Sequence, residues 1–565
     1  TTLIVDGAAT FTGGIVLNDD TGKSIVEFEQ ANAVAIAGDI AGGTAGHGTL
    51  QVTGATKTFS GTIGATSLLQ VDVDALAIFS GAVSATTINV DADATITGVI
   101  TGIVVVDTAG SDLTIGNNVV GAVSTSAANN ILKYNGTAVQ SQTGNITSIA
   151  DGDGIIQVNN TAGLVSFNSL IGATTKNVGS IVSAANSSSI FKGKIFTNLI
   201  NIDGDVTMSV KDNTVERIDL ETTATLVIDD TIEAGDEVFS GMTALVNDDI
   251  AGTGNIKMPA NLTHGESIVL LAQLTDNADA AIKVDVDLAL FDTALRNYTT
   301  SFVVAANNND LVVTANDNST ADVAKNLGIS TNEATSLLKL GVAVQGDSEA
   351  LDALQNSLNS EAGLTPADAT ALSKQASPQT EIISGSTFAS KAITGSVQGI
   401  MSNRMASLRS GDAFATGMSA GGAMSAKSGF VQVFGTTAEQ KNTSSKAQGQ
   451  ISGFDADSSG VAIGFDGISD SGTTVGLSLS MANTEVDSKG TGKATNAIDT
   501  YTASIYMDKA TDSGYIEGSL TYGISENETS RKITSAGLNR TLTGTYDSYQ
   551  VSAKVGAGMP NDVGN

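Results

Sequence analysis

The sequence predicts an all-β chain with one helical interruption, and three observations predict it. Short runs rich in Val, Ile and Thr recur through residues 1–254 between Gly, Asn, Asp and Ser. A glycine-centred motif returns there at intervals near 20 residues. Residues 428–565 alternate between apolar and polar side chains, the period-2 signature of a strand with two unlike faces.

In the first region, runs such as Thr86-Thr87-Ile88-Asn89-Val90 and Leu226-Val227-Ile228 have strand composition and no helical period between them. The motif has the form apolar, x, Gly, x, apolar. It occurs at Phe11-Thr12-Gly13-Gly14-Ile15, Phe59-Ser60-Gly61-Thr62-Ile63, Phe79-Ser80-Gly81-Ala82-Val83, Ile96-Thr97-Gly98-Val99-Ile100 and Phe191-Lys192-Gly193-Lys194-Ile195. Successive starts are 48, 20, 17 and 95 residues apart. A spacing near 20 is one coil of a parallel β-solenoid, although a Gly- and Ile-rich chain also produces such motifs by chance. Proline favours the solenoid. None of Pro259, Pro366, Pro378 and Pro560 falls in the first 258 residues, so every position there keeps the N–H that a stacked ladder uses.

The second region, about residues 255–426, begins with a β cap that includes Ser267-Ile268-Val269-Leu270-Leu271 and Thr300-Ser301-Phe302-Val303-Val304. Helices are then predicted over 320–327, 332–340, 348–358 and 366–375, with Ser348 as an N-cap and Pro366 at a first helical position. A longer helix is predicted over 387–409. Gly395 and Gly399 each cost it about 1 kcal/mol as a free helix and make it thin.

In the third region Val475, Leu477, Leu479 and Met481 share one face and Thr474, Gly476, Ser478 and Ser480 the other. The runs Thr500 to Met507 and Tyr546 to Val555 repeat the pattern. Ser469-Asp470-Ser471-Gly472 and Asp512-Ser513-Gly514 read as hairpin turns. Strands of nine or ten residues suit a transmembrane barrel, and a soluble sheet with one wetted face gives the same alternation.

Composition narrows the function. The chain has 565 residues, 27 Lys and Arg against 59 Asp and Glu, and a net charge of −32, which excludes a phosphate-neutralising nucleic-acid face. A mean hydropathy of +0.12 excludes disorder as the ground state. The absence of Cys removes disulfides, thiolate metal sites and Cys nucleophiles. No apolar run reaches the length of a transmembrane helix.

Little catalytic chemistry is legible. His47 and His264 stand apart from other ligand types and read as surface polar residues. Asp19-Asp20, Asp151-Gly152-Asp153, Asp203-Gly204-Asp205, Asp229-Asp230 and Asp248-Asp249 raise calcium as an option, but none matches an EF-hand or the Gly-Gly-x-Gly-x-Asp repeat, and Asp at turns is the simpler reading. Residues 1–250 carry 8 basic and 27 acidic side chains, a poor surface for acidic sugars. No catalytic, cofactor-binding or metal-ligating residue is assigned.

A solenoid, a helical junction and amphipathic strands in that order resemble the classical type V autotransporters. Ala376-Ser377-Pro378-Gln379-Thr380, followed by a helix ending Arg404-Met405-Ala406-Ser407-Leu408-Arg409, resembles the family's pore-threading segment. Gly429-Phe430-Val431-Gln432-Val433-Phe434-Gly435 resembles its first barrel strand, and the run from Phe454 to Asp466 its second. The Phe-Ser-Gly passages are similar in style to rickettsial surface-layer passengers of the outer membrane protein B type.

The resemblance implies a right-handed parallel β-solenoid passenger over 1–317, a helical junction and pore helix over 318–427, and part of an antiparallel transmembrane β-barrel over 428–565. It implies the outer membrane and surface of a Gram-negative bacterium as the location, and no enzymatic activity or cofactor. The implied partners are the barrel assembly machinery and host-cell or neighbouring passenger surfaces. The family barrel has twelve strands, whereas this sequence offers about six and stops near Met559-Pro560-Asn561-Asp562 without a terminal aromatic strand. The expectation is a truncated product that does not insert alone. Aligned on the Arg-Met-x-x-Leu-Arg ending, Gly399 and Ile400 occupy the place of the Asn pair at which some members cleave themselves. The expected function is export of a passenger that acts as a structural surface protein or adhesin. A secreted β-helical polysaccharide-active enzyme and a surface filament subunit are the alternatives.

Overall fold

The computed structural model describes residues 1–7, 11–18, 23–221, 223–241, 255–259, 261–274, 289–290, 292–305, 308–343, 365–377, 379–410, 427–445, 449–469, 471–490, 492–534 and 539–559. The chain divides into two compact units, with the boundary at Asn318 and Ser319.

In the first unit short strands stack in parallel on three ladders. One runs Phe11, Ile36, Phe59, Phe79, Ile96, Ile115, Tyr134, Val158, Ser183, Ile202, Leu220. The second includes Phe28, Val52, Val73, Val90 and Val106, and the third Ile40, Ile63, Val83, Ile100 and Val119. This is a β-solenoid whose coils run from 17 residues, Phe79 to Ile96, to 25, Val158 to Ser183.

The ladder explains the repeat. The 48-residue gap from Phe11 to Phe59 holds one further coil, in which Ile36-Ala37-Gly38-Asp39-Ile40 carries the same motif. Phe191 is the exception. It stacks on Phe167 and Met208, on a different side of the coil, so the 95-residue gap is not a count of coils.

Inward side chains fill the interior. Phe59 and Phe79 stack with centroids 4.8 Å apart, as do Phe167 and Phe191 at 4.9 Å, and all four are fully buried. Each such side chain contributes roughly 1.5–3 kcal/mol on leaving water. The motif's glycine is set by the closeness of the coils. A Cβ on Gly81 would lie 2.3 Å from the Gly61 carbonyl oxygen, and one on Gly98 would lie 2.3 Å from that of Gly81.

Buried polar side chains bind the carbonyls that the corners leave unpaired. Lys57 Nζ donates to Gln30 O at 2.8 Å, Asn32 O at 3.4 Å and Ala55 O. Asn130 donates to Thr108 O and Ser111 O, and Asn213 to Val210 O and Val238 O. Burial holds the Lys57 ammonium below the usual lysine range.

The stack ends in a change of direction. Ser267–Leu274 continues the parallel ladder, Asn308–Asp317 pairs with it antiparallel, and Arg296–Ala305 pairs antiparallel with that. The two predicted cap strands are therefore not neighbours. Asn308–Asp317 lies between them.

The second unit opens with helices Thr320–Leu327, Thr331–Ala343 and Pro366–Ala376. Ser319 and Thr365 cap the first and third, and Pro366 occupies a first-turn position. The predicted helix at 348–358, with its Ser348 cap, falls outside the described residues. A 31-residue helix, Thr380–Ser410, follows, starting two turns before the predicted Thr387. The last element is an antiparallel meander of six strands: Lys427–Gln440, Phe454–Ile468, Thr473–Ser488, Thr495–Thr511, Gly514–Ile533 and Arg540–Gly558. At 14 to 20 residues these strands exceed the nine or ten read from the alternation, because polar ends continue each ladder beyond its apolar stretch.

Candidate functional site

The meander is inside-out relative to a water-soluble sheet. Across the six strands Val431, Ile463, Leu479, Ala503, Tyr522 and Val551 form one outward row. Leu479 is 52% exposed, while its inward neighbour Ser478 is 1% exposed. The polar face is the buried one. Ser480 shares a hydrogen bond with Thr502 at 2.6 Å, Ser504 with Thr521 at 2.9 Å and Thr500 with Ser525 at 2.9 Å. Alternation alone left a soluble sheet open. The direction of each face decides for the membrane, because only hydrocarbon makes an apolar exterior favourable.

The long helix lies on the polar face and touches every strand. Glu381 accepts from Ser488 at 2.6 Å, and Ser386 from Asn496 at 2.8 Å. Thr394 donates to Gln550 at 2.8 Å and Gln398 to Ser552 at 2.9 Å. Lys554 donates to Ser402 at 2.6 Å.

The strongest contacts are at the arginines of the helix ending. Arg404 Nε donates to Asp466 at 2.8 Å and its Nη2 to Ser428 at 2.6 Å. Asp466 also accepts from Tyr506 at 2.9 Å. Arg404 and Asp466 are buried, and the paired geometry with added hydroxyl donors is what makes a buried ion pair tolerable. One turn on, Arg409 pairs with Asp508 and, at 3.1 Å, with Glu517, its guanidinium over the Tyr515 ring.

Glycine makes room on this face. A Cβ on Gly476 would lie 2.1 Å from the Tyr506 ring, and one on Gly464 would lie 2.3 Å from Phe430. On the helix the close approach is at Gly385, where a Cβ would lie 2.5 Å from Val486. Gly395 and Gly399, the residues expected to thin the helix, have nothing within 4 Å of a Cβ among the described residues.

Among the described residues the sequence's candidate ligands do not assemble. His264 is exposed and accepts from the Asp317 N–H at 3.1 Å, and His47 is half-buried in the solenoid. Asp151, Asp153, Asp229 and Asp230 each accept from a backbone N–H near a turn. Asp19-Asp20 and Asp248-Asp249 lie outside the described residues. Among the described residues, the carboxylates that do meet are Asp72, Asp74 and Asp91, with oxygens within 4.8 Å of one another. Sequence spacing hides them, since Asp91 joins from the next coil. Burial and the charges of Asp74 and Asp91 raise the pKa of Asp72. A hydrogen bond with Asp107, then burial, raises that of Asp91.

Residues 429–565 match the family model for the autotransporter beta-domain. No curated protein and no solved structure matches the chain. The matched segment coincides with the meander, a helix occupies its polar face, and a β-solenoid precedes both. Together with the β-solenoid before it, the match supports a classical type V autotransporter, whose β-domain implies the outer membrane of a Gram-negative bacterium and a surface-exposed passenger.

Proposed function

We propose that the passenger is a non-enzymatic surface protein, acting as an adhesin or as a structural component that contacts neighbouring passengers. The regular exterior of the solenoid carries this reading. Thr58, Ile78, Thr95 and Thr114 stand above one another on one ladder, and Ser84, Thr101 and Val120 on another. Mostly β-branched side chains recur there at the strand spacing of about 4.8 Å, which suits contact with an extended surface. The likeness of the Phe-Ser-Gly passages to rickettsial surface-layer passengers points the same way.

Export follows from the same construction. A chain without Cys crosses the pore unfolded, and each coil that closes outside buries apolar side chains and opposes return. Insertion of the β-domain is assigned to the barrel assembly machinery. The N-terminal end of the helix lies with the longer connections, 441–453, 489–494 and 534–539, while 469–472 and 512–513 are short. Outer-membrane barrels place long loops outside, so the passenger leaves on that side.

The test is a comparison of cells displaying the protein with cells lacking it. Attachment to host cells, or ordered lateral assembly of the passenger, is expected. Hydrolysis of a polysaccharide by the displayed passenger would overturn the reading in favour of an enzyme.

A further inference from the structure

We infer that the β-domain sits low in the membrane, with roughly a third to nearly half of each of its central strands projecting from the lipid as an acidic collar on the side where the passenger leaves. The inference rests on the membrane reading above and adds the position of the lipid boundary.

The first support is length. A tilted strand crosses hydrocarbon in about nine to eleven residues. The third strand has 16, the fourth 17 and the fifth 20. Measured from the short turns, nine to eleven residues are used up at 473–481, 501–511 and 514–524, which leaves 482–488, 495–500 and 525–533 beyond the hydrocarbon.

The second support is a change of outward chemistry at that level. The row Val433, Val461, Met481, Tyr501, Ile524, Tyr549 is apolar or aromatic. The next row toward the long connections is Gly435, Ser459, Asn483, Asp499, Glu526, Asp547, and the one after it contains Asp457, Glu485 and Glu528. These six carboxylates are exposed and face outward, where hydrocarbon would be most unfavourable to them.

The third support is the interior. In the membrane level the inward face mixes Ser478, Ser480, Thr502 and Ser504 with Phe430, Ala462 and Tyr506, which cluster with Ile393, Val397 and Met401 of the helix. At the collar a second apolar cluster, Phe454, Ala456, Val486 and Ile498, packs on Ile382 and Ala389 of the helix beside the buried Thr484 and Asn496. The projecting ends thus keep an apolar core of their own, as a sheet standing in water requires. Three rows at about 6.7 Å per residue pair, tilted by about 40°, place the rim roughly 15 Å above the boundary. The rim holds the end of the junction: Thr534 N donates to Gln375 at 3.0 Å, and Arg531 donates to the Ser377 carbonyl.

The absence of Cys allows a direct test in cells displaying the full protein. Single substitutions Asp499→Cys and Glu526→Cys in the collar, and Ala503→Cys and Leu520→Cys in the belt, are treated with a charged, membrane-impermeant maleimide. Surface display of the passenger shows that each variant has assembled. Labelling of both collar sites on intact cells, with both belt sites labelled only after detergent extraction, is the expected result. Collar sites that stay unlabelled on intact cells and react in detergent, while the belt behaves as expected, would overturn the collar. Belt sites that react on intact cells would overturn the membrane reading itself.

Discussion

Gly81 shows how little space the solenoid leaves at its corners. Its missing Cβ would meet the Gly61 carbonyl at 2.3 Å, with backbone on the other side of the contact and nothing flexible to move aside. Gly81→Ala is expected to lower passenger stability by about 1–3 kcal/mol, the cost of overpacking. Gly14→Ala is the control, because a Cβ there would sit an ordinary 3.5 Å from the Asp39 carbonyl. Equal urea midpoints for the two variants would contradict the account. Asp72 gives a second residue-level prediction, with its sign fixed by charge. Its pKa is raised in the folded chain, so its contribution favours folding below the ordinary carboxylate range and is lost as pH rises through the folded value. Asp72→Asn is expected to stabilise the passenger at pH 7 by a few tenths of a kcal/mol, the size of one cross-strand like-charge contact. The gain disappears below about pH 4. Thermal unfolding at both pH values checks it, and destabilisation at pH 7 would show that the carboxylate is needed charged.

At the scale of the element, the long helix is held chiefly by its C-terminal arginines. Arg404→Ala leaves Asp466 buried without its cationic partner, a loss of about 3–5 kcal/mol in comparable sites. Gln398→Ala removes a neutral hydrogen bond to Ser552 and is expected to cost about 1 kcal/mol. Heating samples before electrophoresis reads the difference, because a folded barrel migrates apart from its unfolded form. A melting temperature unchanged in Arg404→Ala would place the grip of the helix elsewhere. The motif Arg-Met-x-x-Leu-Arg announced this element in the sequence, but Arg404's partners Asp466 and Ser428, and the Tyr506 hydroxyl that donates to Asp466, were not legible, since they come from three different strands. Gly385 was missed for a related reason. A glycine's importance depends on what faces it, and the predicted helix, starting at Thr387, contained Gly395 and Gly399 but not Gly385.

Over the whole molecule, local patterning showed the order of regions: β-branched runs marked the solenoid, small and unbranched residues the helices, and alternation the meander. What it could not supply was direction. The period-2 pattern at 474–481 is the same whether Leu477 and Leu479 face a core or lipid, and only the surrounding strands and helix show that they face out. Coil register was similarly half-legible. Phe59, Phe79 and Ile96 fall on one ladder as their spacing implies, whereas Phe191 carries the motif on another side because the coils before it lengthen to 24 and 25 residues.

The central claim is that a lipid-embedded sheet holds the helix while the solenoid stands outside the cell. Protease added to intact cells tests it most directly, with the products followed by antibodies to the passenger and to residues within 380–558. The account predicts loss of the passenger signal and survival of a membrane-bound fragment containing the helix and the meander. A passenger that resists the protease until the outer membrane is broken, or a meander digested together with it on intact cells, would contradict the account.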